Sequence, residues 1–122
     1  MATIKSYTSL EQSRKLAEIL PLESADMYWI KIDDDESFDG SWETVPRNSS
    51  LIAKDDEPSF CWSLAALLNV LPPIEGFRPI IDLDINLVRY EGNYRDKLCF
   101  NENNLIDACY KMILKLHELK ML

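Results

Sequence analysis

Ile81-Asp82-Leu83-Asp84-Ile85-Asn86-Leu87-Val88 decides the fold class. Ile81, Leu83, Ile85 and Leu87 fall on one side of an extended chain and Asp82, Asp84, Asn86 and Val88 on the other, the period of two that belongs to a strand with one wet face. The pattern begins near Arg78. Glu91-Gly92-Asn93 then supplies small, φ-tolerant residues for a tight connection into residues 94–100, so a β-hairpin is predicted.

Helical signals flank this hairpin. Downstream, Asn101-Glu102-Asn103-Asn104 offers a cap, and Leu105, Ile106, Cys109, Met112, Ile113, Leu116 and Leu119 recur at three- and four-residue steps. Lys111, Lys115, His117 and Lys120 gather towards the end of that helix, where cations suit its dipole. Upstream, residues 59–71 are apolar nearly all round, which predicts a central buried helix with Pro58 in its first turn and Pro72-Pro73 ending it. Met27-Tyr28-Trp29-Ile30-Lys31-Ile32 reads as a strand, from its β-branched and aromatic content. Before it, Thr8 with Glu11 and Ser9 with Gln12 form two overlapping capping boxes for a helix that Pro21 stops. Residues 33–40 read as loop, and residues 41–45 and 50–53 are too short and mixed to assign. The order is α, β, loop, α, β, β, α, an α+β fold in a single domain (1–122) with about three helices on one face of a small antiparallel sheet.

The 122 residues are 47% apolar, with three Trp, five Tyr and four Phe, enough to build a core without disulfide or metal. Near the first residues no apolar run resembles a signal peptide, and no segment approaches the ~20 apolar residues of a membrane helix, so a cytoplasmic location is expected. Cys61, Cys99 and Cys109 are odd in number and set among apolar neighbours, a pattern of reduced, buried thiols.

The net charge of −8 is unevenly distributed. Residues 23–57 hold eleven acids (Glu23, Asp26, Asp33, Asp34, Asp35, Glu36, Asp39, Glu43, Asp55, Asp56, Glu57) and three bases (Lys31, Arg47, Lys54), while the rest of the chain has ten of each. Such a segment argues against nucleic acid or anionic lipid as its partner, because phosphate binding needs Lys and Arg, and leaves a basic protein or a cation.

Specific chemistry is sparsely signalled. Asp35-Glu36-Ser37-Phe38-Asp39-Gly40 follows the opening of an EF-hand calcium loop, but the twelfth position, where a bidentate Glu belongs, is Pro46, and a solvated acidic turn fits better. Asp82 and Asp84 would stand ~6–7 Å apart on one strand face, suited to a shared divalent metal or acid–base work if a third group joined them. His117, the only histidine, sits ~12 Å along its helix from Cys109, beyond hydrogen-bond reach. There is no C-x-x-C zinc pattern and no glycine-rich phosphate loop, so no cofactor is expected. Trp29 and Trp42 flank the acidic loop. If the face carrying Ile30 is the core, Trp29 is partly exposed beside Asp33, Asp34 and Asp35, an aromatic and acidic patch for a cationic partner; otherwise both indoles fill a secondary core.

Cys61-Trp62-Ser63-Leu64-Ala65-Ala66-Leu67-Leu68-Asn69-Val70-Leu71-Pro72 and Asp107-Ala108-Cys109-Tyr110-Lys111-Met112-Ile113-Leu114-Lys115-Leu116-His117-Glu118-Leu119 resemble segments of small gut-bacterial proteins often associated with phages and mobile elements. That family has no established activity, so the resemblance implies a genomic setting and a shared fold, and no catalytic residues. Together the residues point to a non-enzymatic accessory protein that presents Trp29, Asp33, Asp34, Asp35, Asp39 and Trp42 to a basic macromolecule. The alternative is a small metal-dependent enzyme or ligand-binding module using Asp82 and Asp84, or Asp35 and Asp39.

Overall fold

The computed structural model describes residues 5–32, 41–48, 59–92 and 98–122. Within them the chain is α+β: helices α1 (Leu10–Ile19), α2 (Leu64–Val70) and α3 (Leu105–Glu118) accompany strands β1 (Met27–Ile32), β2 (Ser41–Pro46), β3 (Ser59–Cys61), β4 (Phe77–Asp82), β5 (Leu87–Gly92) and β6 (Leu98–Asn101). The strands form two antiparallel sheets, ordered β2-β1-β3 and β4-β5-β6, in place of a single one. No helix among the described residues is long and apolar enough to cross a membrane.

The alternating run 81–88 is not one strand. β4 ends at Asp82, residues 83–86 turn, and β5 begins at Leu87, so that Ile81 pairs with Val88. The Asp84 amide donates to the Asp82 carboxylate at 3.0 Å, and Asn86 takes φ 52°, the left-handed conformation that asparagine tolerates better than most residues. The Asn86 side chain then donates to the Asn103 carbonyl at 3.1 Å, tying the turn to the β6–α3 junction. Leu83 and Ile85 therefore lie in a turn at 72% and 50% exposure, while Val88, on the supposed wet side, is fully buried.

Residues 59–71 divide as well. Ser59–Cys61 is β3, pairing with β1, and α2 starts only at Leu64, where the Ser63 hydroxyl accepts the Ala66 amide as its cap. Continuous apolar sequence suits a buried strand as well as a buried helix, and here the hydroxyl marks the change. The Asp26 carboxylate holds the junction by accepting both the Ser63 amide and the Ser63 hydroxyl. α2 ends at Val70 with Leu71 as its C-cap, just before the Pro72-Pro73 pair expected to stop it.

Of the two capping boxes before α1, only the one between Ser9 and Gln12 forms. Thr8 is instead buried, 2.7 Å from the Ser13 hydroxyl and accepting the Trp62 amide at 3.2 Å, which joins the start of α1 to the β3–α2 connection. β2, unassigned from sequence, pairs with β1 along its whole length.

One core links these parts. α3 lies on β5 and β6, α2 packs on α3, and α1 abuts β3. Leu16, Trp62, Leu67, Met112, Ile113 and Leu116 are all fully buried in it. Gly92 matters locally, because a Cβ there would meet the Phe77 ring at 2.5 Å.

A polar pin ties the start of the described chain to α3. Lys5 donates to Gln12 and to Asp107, each at 2.8 Å, while Gln12 and Asn104 side chains also donate to Asp107. Burial alone would raise the Asp107 pKa, but the hydrogen bonds from Lys5, Gln12 and Asn104, together with the Lys5 charge, outweigh it and hold the carboxyl below its ordinary 3.8. A depressed folded-state pKa contributes stability that is complete above the unfolded value and lost as pH falls through the folded one. The thermal midpoint should therefore decline below pH 3.8, and Asp107→Asn should start lower at neutral pH and decline less over that acid range. Thermal melts of both proteins against pH check this.

Candidate functional site

The register of β1 with its neighbours sorts the aromatic side chains. Trp29 pairs with Thr44 and Ser59, and Trp42 pairs with Lys31, so both tryptophans belong to one face of the sheet. That face meets α1: the Trp29 indole donates to the Ser13 hydroxyl at 3.1 Å and stands edge-on to Tyr7 with centroids 5.6 Å apart. The Arg14 guanidinium lies 6.0 Å from the Trp42 ring centroid. Tyr28, Val45 and Phe60 occupy the opposite face, with the Tyr28 and Phe60 rings at 5.2 Å and Arg47 5.8 Å from the Phe60 centroid. Trp29 thus points away from Tyr28 as predicted, but towards a helix, and both indoles are half-buried.

The acids divide into two groups. Asp33, Asp34, Asp35, Glu36 and Asp39, with the cation-loop motif ending at Gly40, lie outside the described residues, as do Asp55, Asp56 and Glu57. Their anchors are described. Ile32 pairs with Ser41, so the chain carrying Asp33 to Asp39 leaves and re-enters one end of the sheet, and Ser59, two positions after Glu57, pairs with Trp29. Among the described acids of this segment, Glu23, Asp26 and Glu43 are all exposed, and the Asp26 carboxylate is engaged by the amide and hydroxyl of Ser63, the residue that caps α2.

Asp82 and Asp84 do not form the pair that alternation suggested. Asp82 closes β4 and Asp84 lies in the turn, where the Asp82 carboxylate is engaged by the Asp84 amide. Among the described residues no three His, Cys, Asp or Glu side chains come close enough to hold a metal. His117 is exposed in the last turn of α3, while Cys109 is fully buried in the same helix.

One of the three cysteines is not buried as expected. Cys61 and Cys109 are fully buried, but Cys99 is exposed, because β6 alternates and its Leu98 takes the inward position. Burial pushes the Cys61 thiol up, despite hydrogen bonds from Thr8 and Ser13, and pushes Cys109 up to about 12. Neither makes a ready thiolate. A disulfide-exchange reagent should label one thiol quickly in the native protein, and all three only after denaturation; mass spectrometry should place the fast label on Cys99.

Two clefts open near the start of the acidic segment. The larger, about 630 Å³, is lined by Ile19, Leu20, Pro21, Glu23, Ser24, Asn69, Val70 and Leu122. The smaller, about 450 Å³, is lined by Glu23, Ala25, Asp26, Pro46, Arg47 and Asn48. Glu23 stands in both. Neither cleft is legible in the sequence, because each is assembled from element ends that carry no motif, and Pro21 by itself signals only a helix stop. No protein-family model matches the chain, and neither a curated protein nor a solved structure is similar to it.

Proposed function

We propose that the protein is a cytoplasmic, non-enzymatic accessory protein that binds a basic macromolecular partner through its acidic, Trp-containing segment 23–57. One observation carries the reading: the whole net charge of −8 resides in that segment, where eleven acids face three bases, while the remaining ten acids and ten bases cancel. The pairing of Ile32 with Ser41 supports it, since five of those carboxylates belong to a stretch whose two ends are side by side. Trp29 and Trp42, half-buried on the same sheet, supply apolar contact area next to that charge.

A localised negative field attracts a positive partner and repels nucleic acid and anionic lipid. A protein of this kind could occupy the basic surface that a nucleic-acid-binding protein offers its ligand, as DNA-mimicking inhibitors do, which accords with the mobile-element setting that the resemblance implies.

Salt dependence tests the reading. Binding of a poly-lysine peptide, followed by tryptophan fluorescence, should weaken by about tenfold or more between roughly 0.05 and 0.5 M salt, as the Debye length contracts. Affinity independent of salt contradicts it. Calorimetric titration with calcium, magnesium and manganese should give no specific heat, whereas a cation loop at Asp35 and Asp39 would give one.

A further inference from the structure

We infer that the larger cleft, at the end of α1, seats an arginine side chain of the basic partner; this rests on the reading of segment 23–57 as a partner-binding surface. The walls are apolar, made by Ile19, Leu20, Pro21, Val70 and Leu122, and the polar groups are Glu23, Ser24 and Asn69. A volume of about 630 Å³ falls within the range of small-ligand sites and admits a long side chain with its flanking backbone.

The polar groups narrow the occupant. The Ser24 hydroxyl is already used, accepting the Trp62 indole N–H at 2.9 Å and donating to the Pro21 carbonyl at 2.6 Å. Glu23 and Asn69 are exposed, and neither side chain makes a hydrogen bond or ion pair among the described residues. A carboxylate and an amide oxygen are thus available as acceptors. The last turn of α1, which lines the cleft, carries no basic residue, so the negative end of the helix has no cation of its own.

Apolar walls with acceptors at the rim suit a side chain that has a methylene stem and a flat, weakly hydrated cation. A guanidinium can donate to Glu23 and Asn69 together, which an ammonium does less well. The short 3-10 segment Leu22–Ser24, which carries Glu23, already receives one: Arg47, in the adjoining cleft, donates to the Leu22 and Ala25 carbonyls at 3.1 and 3.0 Å. Leu122 is brought to the cleft by the left-handed Lys120, φ 60°, after which the Met121 amide bonds back to the Leu116 carbonyl at 2.8 Å.

The test is a titration of ¹⁵N-labelled protein with the blocked peptide acetyl-Leu-Arg-Leu-amide and with its citrulline counterpart, which keeps the shape and removes the charge. Amide shifts should concentrate at Ile19, Glu23, Ser24, Asn69 and Val70. The citrulline peptide should bind about tenfold more weakly, and Glu23→Gln, its folding verified by an otherwise unchanged spectrum, should weaken the arginine peptide by a similar factor. Equal affinity for the two peptides, or shifts confined elsewhere, overturns the inference. A poly-lysine arm separates the two levels. If poly-lysine shifts residues 33–39 while the arginine peptide leaves the cleft unperturbed, the cleft inference fails and the partner reading stands; if neither peptide binds, both fail.

Discussion

Trp62→Ala should remove a large share of the molecule's stability. Trp62 is fully buried where α1, β3 and α2 meet, its amide is held by Thr8, and its indole N–H donates to Ser24. Truncating a buried Trp to Ala costs ~3–5 kcal/mol through lost transfer energy and the cavity left behind. Against a typical total of ~5–15 kcal/mol this is a large share, and it should lower the thermal midpoint by roughly 10–20 °C. Trp62→Phe separates volume from hydrogen bonding. It fills most of the cavity and loses only the indole donor, whose partner Ser24 still donates to Pro21, so a loss of ~1–2 kcal/mol is expected. Urea titration of the three proteins measures both steps; a Phe variant as unstable as the Ala variant would show that the hydrogen bond, not the packing, dominates.

Val88→Asp should be at least as damaging, and Leu83→Asp nearly silent. Val88 is fully buried against the core, so an aspartate there must either ionise without a partner or remain protonated at high cost, a penalty of ~3–5 kcal/mol. Leu83 is 72% exposed in the β4–β5 turn, where a polar replacement should stay within ~0.5 kcal/mol. A single strand over 81–88 predicts the reverse order, because it places Val88 with Asp82 and Asp84 on the wet face and Leu83 in the core. Denaturation midpoints of the two variants decide between the arrangements.

That reversal shows where sequence reading succeeds and where it stops. α3 is legible because seven apolar positions recur at helical steps and Asn104 caps them; β1 is legible because Tyr28, Trp29, Ile30 and Ile32 favour a strand. The β4–β5 turn was hidden because Asp82 and Asn86 serve alternation and turn formation equally well, and only their local hydrogen bonds reveal which they do. β3 looks helical in sequence because a buried strand and a buried helix are both continuously apolar, and the switch at Ser63 depends on Asp26, far away in sequence. Alternation along β1 puts Trp29 opposite Tyr28, as the register shows, but the contact of Trp29 with Ser13 and of Trp42 with Arg14 of α1 is tertiary and leaves no local trace. The cleft at Glu23 joins residues from both ends of the chain and from its middle, so nothing in one stretch announces it.

The central claim is that position, not total charge, makes the protein a ligand for something basic. Two variants with equal charge test it most directly. One neutralises Asp33, Asp34, Asp35, Glu36 and Asp39 to their amides; the other neutralises the exposed Glu11, Glu18, Glu75, Glu91 and Glu118, and each removes five charges to take −8 to −3. Measured by fluorescence titration at one salt concentration, the first should bind a poly-lysine peptide about tenfold more weakly than the parent, and the second within about twofold of it. Equal losses in the two variants, or a larger loss in the second, would contradict the account.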